Sequence, residues 1–313
     1  MIYDEFKKEF IACIEKKLNE ADMSDCKVET KIFDRVNYSF EGLCICDISK
    51  ESSFTPVFDM GQSYDEYMQG KEMDDLAGDI VGTFKNTLNV CKQHSEMILE
   101  ASADGGRIRD NIIFQLVNTE QNHDVLSDVP HREFVDLSII YRWVVKEDDK
   151  CFNSVIVNNN LADRFSLDEK MLYNLALENT RRILPPVVKP LKDVLNENMV
   201  NEDMWVITNE KEINGASSIL YEDKLYALSE ELGENIYILP VSIHGIIAVP
   251  VSLRKPEDFA MIITDNNMSR VALGERLSNQ VYLYDRDTRK LSMATCTQYN
   301  KLEYPVSKYN PSR

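Results

Sequence analysis

The residue types best suited to chemistry stand in two phrases that each carry one histidine. His131 lies in VPHREFVDLSIIYRWVV and His244 lies in LPVSIHGIIAVPV, each with a proline nearby at the start of an apolar run. A histidine at the end of a buried strand can cap that strand by a hydrogen bond or act as a general base. Asp136 follows His131 by five positions, so on one strand the two side chains point to opposite faces. We therefore favour capping for both histidines and keep a shared catalytic pocket as the alternative.

A serine and a small turn form the second candidate site. Asn214, Gly215, Ala216 and Ser217 open a predicted helix that runs to Leu232. Free amides and the dipole at a helix start attract phosphate or carboxylate, and glycine permits a close approach. The sequence has no Gly-x-Gly-x-x-Gly, no phosphate-loop motif and no Gly-x-Ser-x-Gly elbow. Capping is thus the favoured role of Ser217, and anion binding or a nucleophilic serine are the alternatives.

A polar run inside a predicted helix forms the third candidate site. Asn179, Thr180, Arg181 and Arg182 interrupt an apolar pattern shortly before two prolines. Arginines near the end of a helix offset its dipole, which is the favoured interpretation. The alternative is a guanidinium fork that binds a carboxylate or a phosphate.

Metal and cofactor sites are not indicated by the spacing of the ligand-type residues. The four histidines, at positions 94, 123, 131 and 244, form no close pair, and the carboxylates show no calcium-loop spacing. Cys44 and Cys46 share one face of a predicted strand, which favours a buried apolar face because free cysteine packs as a small hydrophobe. We expect no metal ion and no cofactor.

The charge balance limits the classes of partner. The chain of 313 residues carries 53 acidic and 35 basic residues, a net charge of −18, in an otherwise globular composition. Residues 1–105 hold 22 acidic and 11 basic residues, so the first third is the most acidic part. Such a surface repels phosphate backbones and anionic membranes. We expect a protein partner or a small anionic ligand, no direct nucleic-acid binding and no membrane binding, with the acidic N-terminal region as the recognition surface.

The pattern of helices and strands predicts an α+β fold. Residues 1–103 are predicted to form a small α-β-β-β-α subdomain, and residues 104–295 a mixed-sheet α/β domain covered by helices. Residues 296–313 are predicted to form a polar tail. The first residues lack a signal-peptide core, and no apolar stretch approaches the roughly 20 residues of a membrane helix. Because the seven cysteines also lack disulfide-framework spacing, we expect a cytoplasmic protein.

Several phrases together resemble a family of bacterial proteins. The chain resembles, over roughly residues 1–290, an uncharacterised domain-of-unknown-function family of gut Firmicutes that often lies near mobile-element genes. The phrases that carry this resemblance are GKEMDDLAGDIV (70–81), NTEQN (118–122), PHREFVDLS (130–138), LALENTRRILPP (175–186), NGASSIL (214–220) and LPVSIHGIIAVP (239–250). The resemblance implies a bacterial cytosolic setting, and it implies no activity and no residue role.

Three functions are compatible with these patterns. The favoured hypothesis is a non-catalytic bacterial protein that binds another protein or a small ligand. The second is a metal-independent enzyme in which His131, His244, Asn179, Arg181 and Ser217 converge in one pocket. The third is an acidic antagonist of a host defence protein, encoded by a mobile element.

Overall fold

The computed structural model confirms an α+β protein with several antiparallel sheets. It describes residues 1–47, 55–103, 105–148, 151–195 and 203–296. Apart from Cys296, the predicted polar tail lies outside these residues. Within the described chain, no helix combines the length and the apolar character that a bilayer-spanning segment requires.

The chain divides into two compact units. The first contains residues 1–34 and 39–103 of the described chain, and the second contains residues 35–38 and 105–296. The helices and strands of the N-terminal region are α1 (Tyr3–Glu20), β1 (Cys26–Arg35), β2 (Tyr38–Asp47), β3 (Val57–Asp59), α2 (Met60–Met68) and α3 (Met73–Ala103), and the three strands form one sheet in the order β1-β2-β3.

The core of the first unit follows the predicted periodicity of α1. Four side chains spaced four positions apart, Phe6, Phe10, Ile14 and Leu18, are all buried. They pack with buried side chains of β2, α2 and α3, which include Phe84. The spacing therefore predicted the buried face of α1 correctly because a helix repeats every 3.6 residues.

Two local predictions in this region are wrong. In the sequence, Glu41 and Gly42 separate two β-like runs and so predict a hairpin turn there, but β2 runs through both residues and the turn falls at residues 36–37, where Asn37 has a φ of 70°. Asparagine tolerates this left-handed backbone better than most residues, which explains the position of the turn. Gly78 and Gly82 share one face of the helical pattern, which predicts close packing of another backbone, yet outside the local helix backbone no described atom lies within 4 Å of a Cβ built on either.

The second unit contains a four-stranded and a six-stranded sheet. The four-stranded sheet has the order β4-β6-β5, with β7 also paired to β6, and the six-stranded sheet has the order β13-β12-β10-β11-β9-β8. The strands are β4 (Ile112–Asn118), β5 (His131–Phe134), β6 (Leu137–Asp148), β7 (Cys151–Ile156), β8 (Pro186–Pro190), β9 (Trp205–Asn209), β10 (Ile236–Ser242), β11 (Gly245–Pro250), β12 (Tyr282–Asp285) and β13 (Lys290–Met293).

Helices of the second unit surround these sheets. Strand pairs in both sheets are antiparallel, whereas we had expected parallel and antiparallel pairs together. Hairpin connections such as β10–β11 account for this, since a short turn can join only antiparallel neighbours. The α-helices are α4 (Gly105–Arg109), α5 (His123–Leu126), α6 (Asn159–Arg164), α7 (Glu169–Ile183), α8 (Lys192–Leu195), α9 (Glu222–Leu232) and α10 (Pro256–Ser269), and 3₁₀ helices span Glu120–Asn122, Gly215–Leu220 and Leu273–Glu275.

The first histidine phrase does not form the single long strand that we predicted. It forms β5 and β6, which are joined by a two-residue turn at Val135 and Asp136. The phrase contains no glycine or proline at this turn, so no ordinary turn signal marks it. The end of β4 lies beside this turn, because Leu137 pairs with Asn118 on one side and with Phe134 on the other.

Helix α7 covers the edge strand β4. All seven residues of β4 are buried although, among the described strands, it pairs only with β6. The hydroxyl of Thr180 accepts a hydrogen bond of 2.9 Å from the backbone amide of Phe114. Thr180 of α7 thus provides a hydrogen-bond acceptor for an amide at the unpaired edge of β4. Without the helix, this edge would be free to pair with another chain.

Three further local predictions differ from the structure. The pattern Ser166-Leu-Asp-Glu169 predicts a capping box with Ser166 as the cap, but Asp168 caps α7 instead, and its carboxylate accepts a hydrogen bond from the Met171 amide at 2.7 Å. The segment 187–195, predicted as a helix, forms β8 and the short α8. The helix predicted from Asn214 to Leu232 is split into a 3₁₀ helix and α9.

Candidate functional site

An open cleft of about 310 Å³ lies in the second unit at the β5–β6 turn. Two segments line it: the end of β4 with the start of the following 3₁₀ helix, and the β5–β6 hairpin. The lining residues are Asn118, Thr119, Glu120, Glu133, Val135 and Asp136. All six belong to NTEQN and PHREFVDLS, two of the phrases on which the family resemblance rests.

The turn at the rim of the cleft is strained. Val135 has a φ of 62° and a side chain that is 39% exposed, whereas Asp136 has no positive φ. Positive φ at the first turn position alone is the pattern of a type II′ turn, in which glycine normally holds that position. A β-branched residue there costs about 1–3 kcal/mol, and such strain concentrates at functional sites.

Asp136 is anchored from beneath the cleft. Its carboxylate accepts hydrogen bonds from the hydroxyl of Ser278 at 2.6 Å and from the hydroxyl of Tyr282 at 2.5 Å. Ser278 is fully buried, and burial together with the Asp136 charge raises the pKa of Tyr282 well above its usual range. Both hydroxyls therefore stay protonated donors at neutral pH and fix the orientation of the carboxylate.

The opposite wall of the cleft is held by a buried amide network. The Asn118 side chain donates to the Leu277 carbonyl at 3.0 Å and accepts from the Gln121 amide at 3.0 Å. Asn122 donates to the Asn118 carbonyl at 2.7 Å. The sequence allows either Asn118 or Thr119 to cap the helical segment that follows, and in the structure the Asn118 side chain accepts from its Gln121 amide. Satisfied buried networks of this kind rigidify their surroundings.

The electrostatics of the cleft favour a cation. Glu120, Glu133 and Asp136 contribute three carboxylates, and the lining contains no lysine or arginine. Within the described residues, no group of three or more His, Cys, Asp or Glu side chains is placed to hold a metal ion. Spread carboxylates in an open cleft suit a larger cation, such as an ammonium or guanidinium group, which takes hydrogen bonds in several directions.

The two histidines lie at different sheets, and their side chains contact different residues. His131 begins β5, and its Nδ1 lies 3.0 Å from the Val129 carbonyl. His244 lies in the turn between β10 and β11, where its Nε2 is 3.6 Å from Oε1 of Glu275. Neither histidine lines the cleft. His131 has the local backbone partner that the capping interpretation requires, whereas the buried Nδ1 of His244 has no hydrogen-bond partner among the described residues, so capping by His244 stays a prediction.

The segment with Ser217 packs against the His244 turn. Ser217 is 1% exposed, and its hydroxyl donates to the Asn214 carbonyl at 2.8 Å. A Cβ on Gly215 would overlap both the Thr208 hydroxyl and the His244 carbonyl. Close packing therefore accounts for the glycine without a ligand. The structure brings Asn214, Gly215 and Ser217 together with the backbone of His244, and His131 lies elsewhere.

The polar residues of α7 are engaged within the protein. Asn179 donates to the Arg109 carbonyl at 2.8 Å, and Arg182 donates to the Asp110 carbonyl. Arg181 pairs with Asp223 at 2.5 Å and lies over the ring of Tyr221. Each of these side chains therefore makes at least one contact within the protein, which supports a structural role for the polar run.

Sequence reasoning missed the residues that line and support the cleft. Asp136 was considered only as a partner of His131, and Ser278 and Tyr282 were not considered. The signal for Asp136 is a single carboxylate inside an apolar run, FVDLS, which is costly unless the charge is paired or solvated. No comparable signal marks Ser278, because its role depends on contacts across 142 positions of the sequence.

Comparison with known proteins identifies a family and no activity. A family model described as "Family of unknown function (DUF5688)" matches residues 3–286. No curated protein and no solved structure matches the chain. The matched residues include all six that line the cleft.

Proposed function

The chain belongs to the DUF5688 family of unknown function, and we propose that it is a non-catalytic binding protein whose cleft at the β5–β6 turn receives a cationic group of a protein partner. The cleft itself is the observation that carries this proposal. It combines three carboxylates with a strained, partly exposed valine at its rim. Lysine and arginine side chains offer the matching charge together with an apolar stem that can lie on Val135.

The contacts of the candidate catalytic side chains favour binding over catalysis. The Ser217 hydroxyl is buried and donates to a carbonyl, so it has no activating base. His131 lies beside the Val129 carbonyl at the start of β5, and His244 lies beside Glu275 in the β10–β11 turn of the other sheet. A nucleophile and its base must lie within hydrogen-bond reach of each other. Among the described residues, the Ser217 hydroxyl bonds to the Asn214 carbonyl and to neither histidine.

The cleft favours a cationic ligand, and the small anionic ligand that the sequence suggests at other residues stays a prediction. The arginines that suggested an anion site each make a contact within the protein, Arg182 with the Asp110 carbonyl and Arg181 with the Asp223 carboxylate. The net charge of −18 attracts cations from a distance and raises their association rate. The setting in gut Firmicutes, the cytoplasmic location and the role as an acidic antagonist encoded by a mobile element stay predictions.

Affinity for a basic peptide tests the proposal. A fluorescent peptide that carries one arginine among glycine and serine residues serves as the probe, and the same peptide with glutamate serves as its control. We expect binding of the arginine peptide alone, with weakening as salt is raised because exposed charges are screened. Equal binding of the glutamate peptide would contradict the proposal.

Matched variants locate the binding. Glu133→Gln removes one carboxylate of the cleft, and Glu178→Gln removes an exposed carboxylate of α7 outside it. We expect Glu133→Gln to weaken binding about two- to fivefold, the usual value of one exposed ion pair, and Glu178→Gln to leave it unchanged. If both variants bind equally well, the peptide is held by general charge and the cleft is not its site.

A further inference from the structure

A guanidinium group without a counter-ion lies on one face of the four-stranded sheet. Arg142 of β6 donates from Nε to the Ser154 hydroxyl at 2.8 Å and from Nη2 to the Ser154 carbonyl at 2.7 Å. Its Nη1 donates to Oε1 of Gln115 at 3.0 Å. All three acceptors are uncharged, and no carboxylate of the described chain forms an ion pair with Arg142. The positive charge is therefore hydrogen-bonded but not neutralised, in a protein whose net charge is −18.

The surroundings of this cation are apolar. Ile113 of β4 and Ile156 of β7 pair with Arg142 on its two sides, and Ile140 stands two positions before it on β6. Paired residues and alternate residues of a strand share one face of a sheet. Ile113 and Ile140 are fully buried, and burial lowers the pKa of Arg142. Arg142 itself is only partly buried, so a small ligand can reach a cation that has lost part of its hydration.

Unused hydrogen-bond donors remain on this face. A guanidinium has five N–H groups, so the three bonds leave one N–H on each of the two terminal nitrogens. The Gln115 side chain is 3% exposed, and its one hydrogen bond to the described residues is the one that Oε1 accepts from Arg142. The Nε2 amide of Gln115 is therefore an almost buried donor without an acceptor. Such a group costs free energy that a bound acceptor recovers.

We infer that Arg142 and Gln115 form a binding site for a small carboxylate. Its two oxygens accept from the remaining N–H groups of the guanidinium and from Nε2 of Gln115, an arrangement for which the planar guanidinium fork is well suited. A single negative charge neutralises the single cation, whereas a phosphate dianion would leave excess negative charge among apolar side chains. The site is separate from the cation-binding cleft, because neither residue lines that cleft.

Titration of the full chain with sodium acetate tests this inference. Acetamide has the same shape without the charge, and sodium chloride at equal ionic strength controls for salt. The Nε–H resonance of Arg142, assigned by through-bond NMR, reports directly on the guanidinium. We expect acetate to shift this resonance in a saturable way and to raise the midpoint of thermal unfolding, because a ligand that binds only the folded state stabilises it. Acetamide and chloride should do neither, and equal effects of either would overturn the inference.

Variants of the two donors locate the binding. Arg142→Lys keeps the charge and removes the fork, and we expect it to weaken acetate binding about tenfold, the value of one hydrogen bond to a charged group. Gln115→Met keeps the length of the side chain and removes the amide, and it should weaken binding about threefold. Arg164→Met, which removes an exposed arginine of α6, is the control and should have no effect.

Two results with these variants would contradict the site. One is that Arg142→Lys binds acetate as tightly as Arg164→Met does. The other is a shift of the Arg142 resonance that rises linearly with acetate and never saturates, which would indicate a general ion effect. Far-UV circular dichroism verifies the fold of each variant, and the titration of the unmodified chain decides the question where a variant does not fold.

Discussion

The hydroxyl of Tyr282 donates a hydrogen bond of 2.5 Å to Oδ1 of Asp136, although 146 positions separate the two residues in the sequence. Asp136 belongs to the β5–β6 turn of the four-stranded sheet, and Tyr282 begins β12 of the six-stranded sheet. The bond therefore joins the two sheets of the second unit directly beneath the cleft. The Asp136 carboxylate therefore both supports the cleft and stabilises the second unit.

Removal of this carboxylate should destabilise the second unit. Asp136→Ala leaves the buried hydroxyls of Tyr282 and Ser278 without their acceptor, which we expect to cost about 2–4 kcal/mol. Tyr282→Phe removes one donor and should cost about 1 kcal/mol. Urea unfolding followed by near-UV circular dichroism measures both. Because the residues share one interaction, the double variant should lose less than the sum of the two, and full additivity would contradict the direct bond.

Alkaline pH should destabilise the protein through its buried tyrosines. Burial raises the pKa of Tyr221 to about 12, and burial with the Asp136 charge raises that of Tyr282 well above its usual range. In the unfolded chain these phenols lose their protons near pH 10, so the folded state binds protons more tightly. The contribution of these tyrosines to the free energy of unfolding is therefore complete below about pH 10. It is lost as pH rises through their pKa values in the folded state.

Unfolding free energies measured across this alkaline range test the sign of the effect. We expect a plateau at neutral pH and a decline above about pH 10 that is less steep in Tyr221→Phe. Phenylalanine removes the titrating group and keeps the ring. An unchanged slope in this variant would show that Tyr221 does not contribute.

Relief of the strained turn should stabilise the second unit. Val135→Gly removes a β-branched side chain from a backbone with a φ of 62° and loses little apolar burial, since Val135 is 39% exposed. We expect a gain of about 1 kcal/mol, which is the relief of strain less the added entropy of glycine. Val155→Gly in β7, where the backbone is extended, is the control and should destabilise. A loss of stability in Val135→Gly would show that the valine side chain stabilises the turn.

Gly215 should tolerate no side chain. In Gly215→Ala the new Cβ would overlap the Thr208 hydroxyl and the His244 carbonyl, and we expect a loss of at least about 2 kcal/mol from this overpacking. Gly82→Ala is the matched control because no described atom lies within 4 Å of its Cβ, and it should gain about 0.5–1 kcal/mol in helix α3. Thermal unfolding compares the two. Equal effects would contradict the packing that the structure assigns to Gly215.

Local patterns predicted some of the helices, because these patterns depend only on neighbours in the sequence. The buried face of α1, the start of α10 at Pro256 and the left-handed stop of α9 at Gly233, with a φ of 76°, all follow from spacing and from glycine and proline signals. The helix prediction for residues 187–195 failed because Pro190 suits either a strand edge or a helix start, and pairing with β9 decides for the strand.

The cleft was only partly predictable. The two phrases that line it, at residues 118–122 and 130–138, were recognised as distinctive, but the turn between β5 and β6 has no glycine to reveal it. A strained Val135 is stable only because tertiary contacts such as those of Asp136 hold the turn in place. Those contacts join distant parts of the chain, and no local pattern specifies them.

Chemical-shift mapping with N-acetyl-arginine amide is the most direct test of the cleft as a cation site. The backbone amides of Thr119, Glu120, Val135 and Asp136 should shift together in a saturable way, and the same titration of Glu133→Gln should give shifts that saturate at higher ligand concentration. Shifts that scatter over the acidic surface without saturation, or that are unchanged by Glu133→Gln, would contradict the account.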